Sequence, residues 1–329
     1  MQDNYGKFAR QKELGMPDNL FRKLGRHAVS LPAVAAHHVM NLEVIESRLF
    51  TAHLEAQAVH RQKLPILSGI EKDAAASLET EGIFMTSLEQ LQVEKTDAMF
   101  AAGIGLAFGT RRISRPSPLS EPDSRHYKSL VQWALSPPLI RIAESYLGLP
   151  VAYDGPKVAY TPADGRQAGT RLWHRDREDR RMMKIAIYLH EVTEDGGPLQ
   201  AIKREIFEGS TDRDFRYPIL SHEDLEKQLR RKIADGDITS CTGPAGTVIF
   251  MDTARLFHRG KPAVAQSRHV VFHSYFARTP RHPFFCERSD LSRSQLGSFA
   301  QELPPDQRSS ILWYQHLPRF LKAVPKSIV

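Results

Sequence analysis

Two cysteines, Cys241 and Cys286, in 329 residues are too few for a disulfide framework and leave no room for a Cys-based zinc site. A long apolar run is missing too. The most apolar stretch, VSLPAVAAHHVM, is too short and too polar to span a bilayer, and the opening MQDNYGKFARQKELG has no secretory core. A cytoplasmic protein without a membrane span is expected, its thiols plain buried groups. Neither a repeat nor a low-complexity tract occurs. There is also no block of lysine and arginine: the formal charge of +7 and pI near 9.4 come from basic residues scattered among acids from Arg10 to Lys326. That balance suits an anionic partner but not the basic tail of a nucleic-acid binder.

What is present is an ordinary globular composition, 41% hydrophobic, enough for one large domain with additions or two modest ones. The first 95 or so residues read as helical: MNLEVIESRLFTAHLEAQAVHRQKL has apolar residues at helical spacing, and SGIEKDAAASLETEGIFM reads as a helix stopping at Gly82 before a short strand. The Pro/Ser-rich SRPSPLSEPDS (114–124) predicts a surface loop, and HYKSLVQWALSPPLIRIAESYLG a further amphipathic helix. From about Leu149 the pattern changes to short β-prone runs, PVAYDG, KVAYT, RLWHRD, MKIAIYLHEV, GTVIFMD and RHVVFHSYFA, which predict a β-sandwich or jelly-roll barrel. The closing DLSRSQLGSFAQELPPDQRSSILWYQHLPRFLKAV returns to helical spacing.

Within TRLWHRDREDRR, His174 and Asp176 lie two apart, so on a strand an imidazole and a carboxylate face one point. His258, in MDTARLFHRGKP, is the candidate third ligand. Two neutral imidazoles and one carboxylate are the ligand set of non-haem iron(II) sites with open positions. Taken alone, an HxD pair also fits a hydrogen-bonded loop. Three further elements follow in order: the strand MKIAIYLH leading into the turn Gly196-Gly197-Pro198-Leu199, the Gly-led strand GTVIFMD, and His258-Arg259-Gly260 with Arg268 ten residues after His258.

This order resembles the phytanoyl-CoA dioxygenase family of iron(II)/2-oxoglutarate oxygenases over roughly residues 80–280. The resemblance implies a mainly β core with α additions, a double-stranded β-helix (jelly-roll, cupin-like) flanked by N-terminal and C-terminal helices. It divides the chain into a helical N-terminal region packing on the barrel (1–95), the oxygenase core (96–285) and a C-terminal helical segment (286–329). Iron would be held by His174, Asp176 and His258, and the distal carboxylate of 2-oxoglutarate by Arg268, whose planar fork matches a carboxylate. Val270, Phe272 and Ser274 share Arg268's face, so Ser274 would line the cosubstrate pocket. Lys184, Ala186 and Tyr188 share one face of MKIAIYLH; if it looks inward, Lys184 or Tyr188 touches cosubstrate or substrate, and if outward they lie on an exposed sheet. Trp173 reads as a packing residue.

The reaction so implied consumes O2 and 2-oxoglutarate, releases succinate and CO2, and hydroxylates a small or lipid-linked metabolite. Asp176 argues against halogenation, because the halogenating relatives replace that carboxylate by a small residue. After the GPL turn the family's Pro-Gly-Ser-His stretch is replaced by QAIKREIFEGS, so no substrate residue is carried over. The arginines Arg166, Arg171, Arg175, Arg177, Arg180 and Arg181, with Lys203 and Arg204, would favour an anionic substrate; a solvated loop balanced by Glu178 and Asp179 is the competing reading. RHVVFHSYFAR lacks the Arg-x-Asn-x-Thr-x-Arg arrangement of nucleic-acid demethylases, so a nucleic-acid substrate is not expected. The alternative function is a cupin-like metal-dependent isomerase or hydrolase using the same ligands without 2-oxoglutarate. Gly103-x-Gly105 in AAGIGLAFG follows no buried strand and reads as close packing rather than a dinucleotide turn. His37-His38 and His53/His60 read as surface or packing histidines, and the long helical N-terminus is compatible with a dimer.

Overall fold

The computed structural model describes residues 30–109, 119–206 and 211–327; residues 114–118 of the Pro/Ser-rich stretch expected as a surface loop lie outside them, and its last four residues instead open the helix Glu121–Ala134, capped by Ser120. The Val/Ile/Phe-rich runs form strands as their composition dictates: β1 (Ile83–Ser87), β2 (Val151–Thr161), β3 (Met183–Tyr188), β4 (Leu199–Ile202), β5 (Ile238–Cys241), β6 (Thr247–Met251), β7 (His258–Gly260) and β8 (Arg268–Ala277). They assemble into two antiparallel sheets, a five-stranded one in the order β1-β6-β3-β8-β2 and a three-stranded one in the order β5-β4-β7. His174 bridges His258 at the free side of β7 and so extends the smaller sheet. From β2 onward the chain passes repeatedly between the sheets, the winding of a jelly roll. The short strand after Gly82 pairs with β6, so the first 95 residues contribute a sheet edge as well as helices.

Alternation along β3 sets which side is which. Met183, Ile185 and Ile187 face outward and join Val248, Phe250, Val271 and Tyr275 beneath the helices α1 (Glu43–His60), α2 (Gly69–Thr80), α3 (Thr96–Phe108), α4 (Glu121–Ala134) and α5 (Pro137–Leu147), where Leu78, Met99, Leu130, Trp133 and Leu139 complete a dry core. Truncating any one of these fully buried leucines to alanine costs about 2–5 kcal/mol. Ala186 and Tyr188 face inward and meet Leu199, Ala201 and Cys241 from the smaller sheet, with Ile249, Met251 and Val270. The face that carries Lys184 therefore looks into the barrel, and the opposite face is covered rather than exposed.

Two local departures have clear causes. The stretch read as one helix from His126 to Gly148 is two, because the Pro137-Pro138 pair disfavours helix in the residue before it while fitting the first turn of a new one. Gly103 lies inside α3, where a Cβ would approach Leu189 Cδ2 to 3.0 Å and Val271 Cγ2 to 3.1 Å; it serves close helix-to-sheet packing. The N-terminal helix α1 is fastened at both ends. Glu46 bonds the buried Arg180 and Arg281 at 2.7 Å each, and His60 bonds Glu144 at 2.8 Å. At the other terminus, Trp313 packs edge-on against Phe276 with centroids 5.1 Å apart. No helix among the described residues is long and apolar enough to cross a membrane.

Candidate metal centre and anion pocket

The ladder between the HxD segment and β7 brings the two histidines together. His174 N–H donates to His258 O at 3.0 Å and His258 N–H to His174 O at 2.9 Å, the reciprocal pairing that sets neighbouring side chains on one face. Their ring centroids are 4.3 Å apart. Each imidazole is held by its own local turn: Nδ1 of His174 bonds Leu172 O at 2.8 Å and Nδ1 of His258 bonds Leu256 O at 3.1 Å. A carbonyl only accepts, so both Nδ1 atoms carry the proton and both Nε2 atoms present a lone pair. Asp176 is set by its N–H donating to Thr253 O at 2.7 Å, and its Oδ2 lies 4.0 Å from His258 Nε2. One ligand atom from each of His174, Asp176 and His258 falls within 4.8 Å of the others. Two neutral nitrogens and one carboxylate oxygen at that spacing fit a divalent transition metal with positions left open.

Electrostatics keep the donors available. Burial, helped by His174, pushes His258 down to about 3, and burial also lowers His174. Burial opposes ionisation of Asp176, but the Lys184 ammonium and the two imidazoles outweigh it and hold the carboxyl well below its usual range. At neutral pH the set is therefore two free imidazoles and one carboxylate.

Lys184 and Ser274 are paired across β3 and β8, and Lys184 also pairs with Met251, which pairs with Ile83. This row, Ile83–Met251–Lys184–Ser274, forms the floor opposite the candidate metal ligands. Lys184 Nζ closes an ion pair with Asp176 Oδ2. Ser274 is half-buried beside it.

Arg268 sits deeper in the barrel. Its Nη1 donates to Gly197 O and its Nη2 to Thr161 Oγ1 at 3.3 Å, while buried Nε has no hydrogen-bond partner. Among the described residues no carboxylate pairs with it, and burial lowers its pKa. The glycine of the second flanking motif makes room for it, and the glycine of the first supplies the carbonyl it donates to. A Cβ on Gly260 would stand 2.5 Å from Arg268 Nη2, and Gly197, with φ of +71°, could carry no Cβ without striking Lys261 O at 2.5 Å. Gly260 is two residues from His258 along β7, about 7 Å of strand rise. Tyr188, also inward, donates to Cys241 O at 2.6 Å and accepts from Leu199 N–H at 3.0 Å, tying β3 to the turn that presents Gly197. Neither Tyr188's bracing role nor Thr161 was evident from the sequence; Thr161 lies opposite Arg268 across β2 and β8, a register only the sheet reveals.

The arginine cluster does not form the free basic rim that the sequence suggested. Arg175 pairs with Asp214 at 3.2 Å, Arg180 with Glu46, and Arg181 with Glu79 at 2.6 Å and Asp212 at 3.2 Å, while Arg177 lies over the Phe285 ring at 4.3 Å. The solvated-loop alternative is also wrong. Glu178 and Asp179 are buried and accept backbone N–H groups: Arg177 N on Glu178, and Arg180, Ala277 and Arg281 N on Asp179. Trp173 is fully buried as a packing residue, with the Arg259 guanidinium 4.3 Å from its ring centroid. His269 and His273 point away from Arg268's face, His269 to Phe108 at 4.3 Å and His273 to the Tyr153 hydroxyl at 2.8 Å.

A cavity of about 610 Å³ opens between the β1 edge and the smaller sheet, lined by Ile83, Ala201, Ile202 and Leu256 with Lys203, Arg204, Glu81 and Glu205 at its polar side. Ala201 is the direct cross-strand neighbour of His258, and Leu256 O holds the His258 ring, so this cavity adjoins the candidate metal ligands without including them.

No family model matches the chain, and no curated protein matches it. Among solved structures, apo EctD from S. alaskensis is 20% identical with a TM-score of 0.46, covering 68% of this chain and 85% of its own. The same protein with 2-oxoglutarate and 5-hydroxyectoine is 21% identical with a TM-score of 0.46, covering 68% and 81%. The non-heme alpha-ketoglutarate-dependent epimerase SnoN from nogalamycin biosynthesis is 12% identical with a TM-score of 0.40, covering 64% of this chain and 83% of its own.

Proposed function

We propose that the protein is an Fe(II)- and 2-oxoglutarate-dependent oxygenase of small molecules, hydroxylation being its favoured outcome. The observation that carries this reading is Arg268: a buried guanidinium without a carboxylate partner among the described residues, on the inner face of the barrel that also holds a His/Asp/His donor set. Leaving a cation buried and unpaired costs several kcal/mol, and a dianionic cosubstrate would offset that cost. His174, Asp176 and His258 would hold the iron. Arg268, with the Thr161 hydroxyl, would hold the distal carboxylate, and Ser274 lies on the same face. When bound, iron and 2-oxoglutarate supply the activation of O2, one oxygen atom going to the substrate and the other to succinate, with loss of CO2.

The chain's own residues orient and exclude water. Leu172 O and Leu256 O fix the imidazole tautomers. Ala186, Ile249 and Val270 keep the inner face dry. The cavity beside Ala201 would receive the substrate, and an anionic group on it would meet Lys203 and Arg204. An isomerase or hydrolase would use the same three ligands but leave the buried guanidinium of Arg268 without purpose. The deciding experiment is anaerobic addition of Fe(II) and 2-oxoglutarate to metal-free protein, read by the weak visible charge-transfer band of the chelate. A band that His174→Ala abolishes is expected. Tight iron binding with no band at any 2-oxoglutarate concentration refutes the oxygenase.

A further inference from the structure

Lys184 is the one inward cation of the barrel floor that touches a metal-donor side chain among the described residues. It reaches Asp176 from β3, the strand opposite the segment that bears the ligand, and 21% of its side chain remains exposed. A second buried acid, Glu178, influences Lys184 electrostatically and lies 3.8 Å from Arg288 Nε. Asp176 with Lys184 and Glu178 with Arg288 thus form two ion pairs. The opposing charges hold the ammonium where it is, and the ammonium holds the carboxylate.

We infer that Lys184 is a positioning residue that compensates the charge of Asp176, so that the donor set meets a divalent metal as a neutral group and leaves the metal's full charge facing the incoming dianion. This rests on the oxygenase reading above. Two neutral imidazoles and an uncompensated carboxylate would reduce a divalent ion to a net single positive charge; the Lys184 ammonium restores the second. The consequence has two opposite signs. The lysine weakens metal binding, because it competes for the carboxylate and repels the ion, and it strengthens binding of 2-oxoglutarate, because it adds one positive charge to the pocket that receives two negative ones. One unit charge acting over several ångströms at an effective dielectric near 20 corresponds to about tenfold or more in each affinity. A residue needed only for packing would move both affinities in the same direction or neither.

The test compares wild type with Lys184→Met, which keeps the length and apolar stem, Lys184→Gln, which keeps a polar end, and Lys184→Arg, which keeps the charge. Fe(II) affinity is measured anaerobically by competition with a chromophoric chelator, 2-oxoglutarate affinity by titrating the visible band at saturating iron, and folding by thermal melting of the metal-free proteins. Both neutral variants are expected to bind Fe(II) about tenfold or more tightly than wild type and 2-oxoglutarate about tenfold or more weakly, with Lys184→Arg close to wild type in both. Parallel loss of both affinities in the neutral variants that fold, or changes within about twofold in both, overturns the inference. Absence of the band in wild type refutes the oxygenase reading instead, and the iron titration alone then decides the Lys184 effect on metal.

Discussion

Replacing Arg268 with methionine separates a binding role from a structural one, because the two predict opposite balances of stability and affinity. The substitution removes two hydrogen bonds from a charged donor, to Gly197 O and Thr161 Oγ1, worth about 3–5 kcal/mol together. It also removes a buried cation that no carboxylate among the described residues neutralises, and this desolvation term is again several kcal/mol. The two nearly cancel, so the metal-free protein is expected to change by no more than about 2 kcal/mol, or about 4 °C in Tm for a chain of this size. The affinity for 2-oxoglutarate should instead fall by about 2–5 kcal/mol, roughly 30-fold to several thousand-fold, since the variant leaves one buried carboxylate without its partner. Iron affinity without cosubstrate should change far less than 2-oxoglutarate affinity and, if at all, rise, because Arg268 makes no contact with the donor set and only its charge is felt there. Differential scanning calorimetry of the metal-free protein and titration of the visible band measure the two quantities. A Tm loss beyond about 8 °C together with unaltered 2-oxoglutarate affinity would show that Arg268 is a structural ion, and the carboxylate pocket would have to be abandoned.

Three further outcomes follow from the same contacts. Gly260→Ala places a methyl 2.5 Å from Arg268 Nη2, and since a flexible side-chain end is what must yield, 2-oxoglutarate affinity should drop at least tenfold with little loss of Tm; an unchanged titration curve counts against the proposed geometry. Glu46→Ala leaves Arg180 and Arg281 buried without their shared carboxylate and should destabilise the protein by about 3–5 kcal/mol in urea unfolding, whereas a loss below about 1 kcal/mol would mean that the fastening of α1 is dispensable. Burial pushes the Asp154 carboxyl up to about 7 despite N–H bonds from Glu287 and Arg288, so the folded form keeps a proton that the unfolded chain, with a value near 3.9, releases. Stability should therefore fall as pH rises from about 4 to about 7 and level off above, by up to about 4 kcal/mol from this group; Asp154→Asn should flatten that slope, and an unchanged slope would assign it to other acids.

The residue types and their order were enough to predict helices ahead of the sheet and the change to strands after Leu149, and to nominate His174, Asp176 and His258, which the fold brings within 4.8 Å of one another, because period-two and period-3.6 patterns and ligand spacing are properties of the chain itself. Arg268 was nominated in the same way, as a planar fork on a strand, although its partners Gly197 and Thr161 needed the sheet. Which face of β3 looks inward could not be read from MKIAIYLH, since that strand is buried on both faces and its pattern is almost uniformly apolar. Only the closing of the second sheet over it turned Lys184 toward Asp176. The arginine run misled for a related reason: charge partners such as Glu46, Glu79 and Asp214 lie 134, 102 and 39 positions from Arg180, Arg181 and Arg175, and no local pattern records a pairing made across the fold. The patterns of the chain foretold a barrel with helices and nominated a candidate metal-donor set; the tertiary structure decided which charges are paired inside it, because pairing depends on distances that only folding creates.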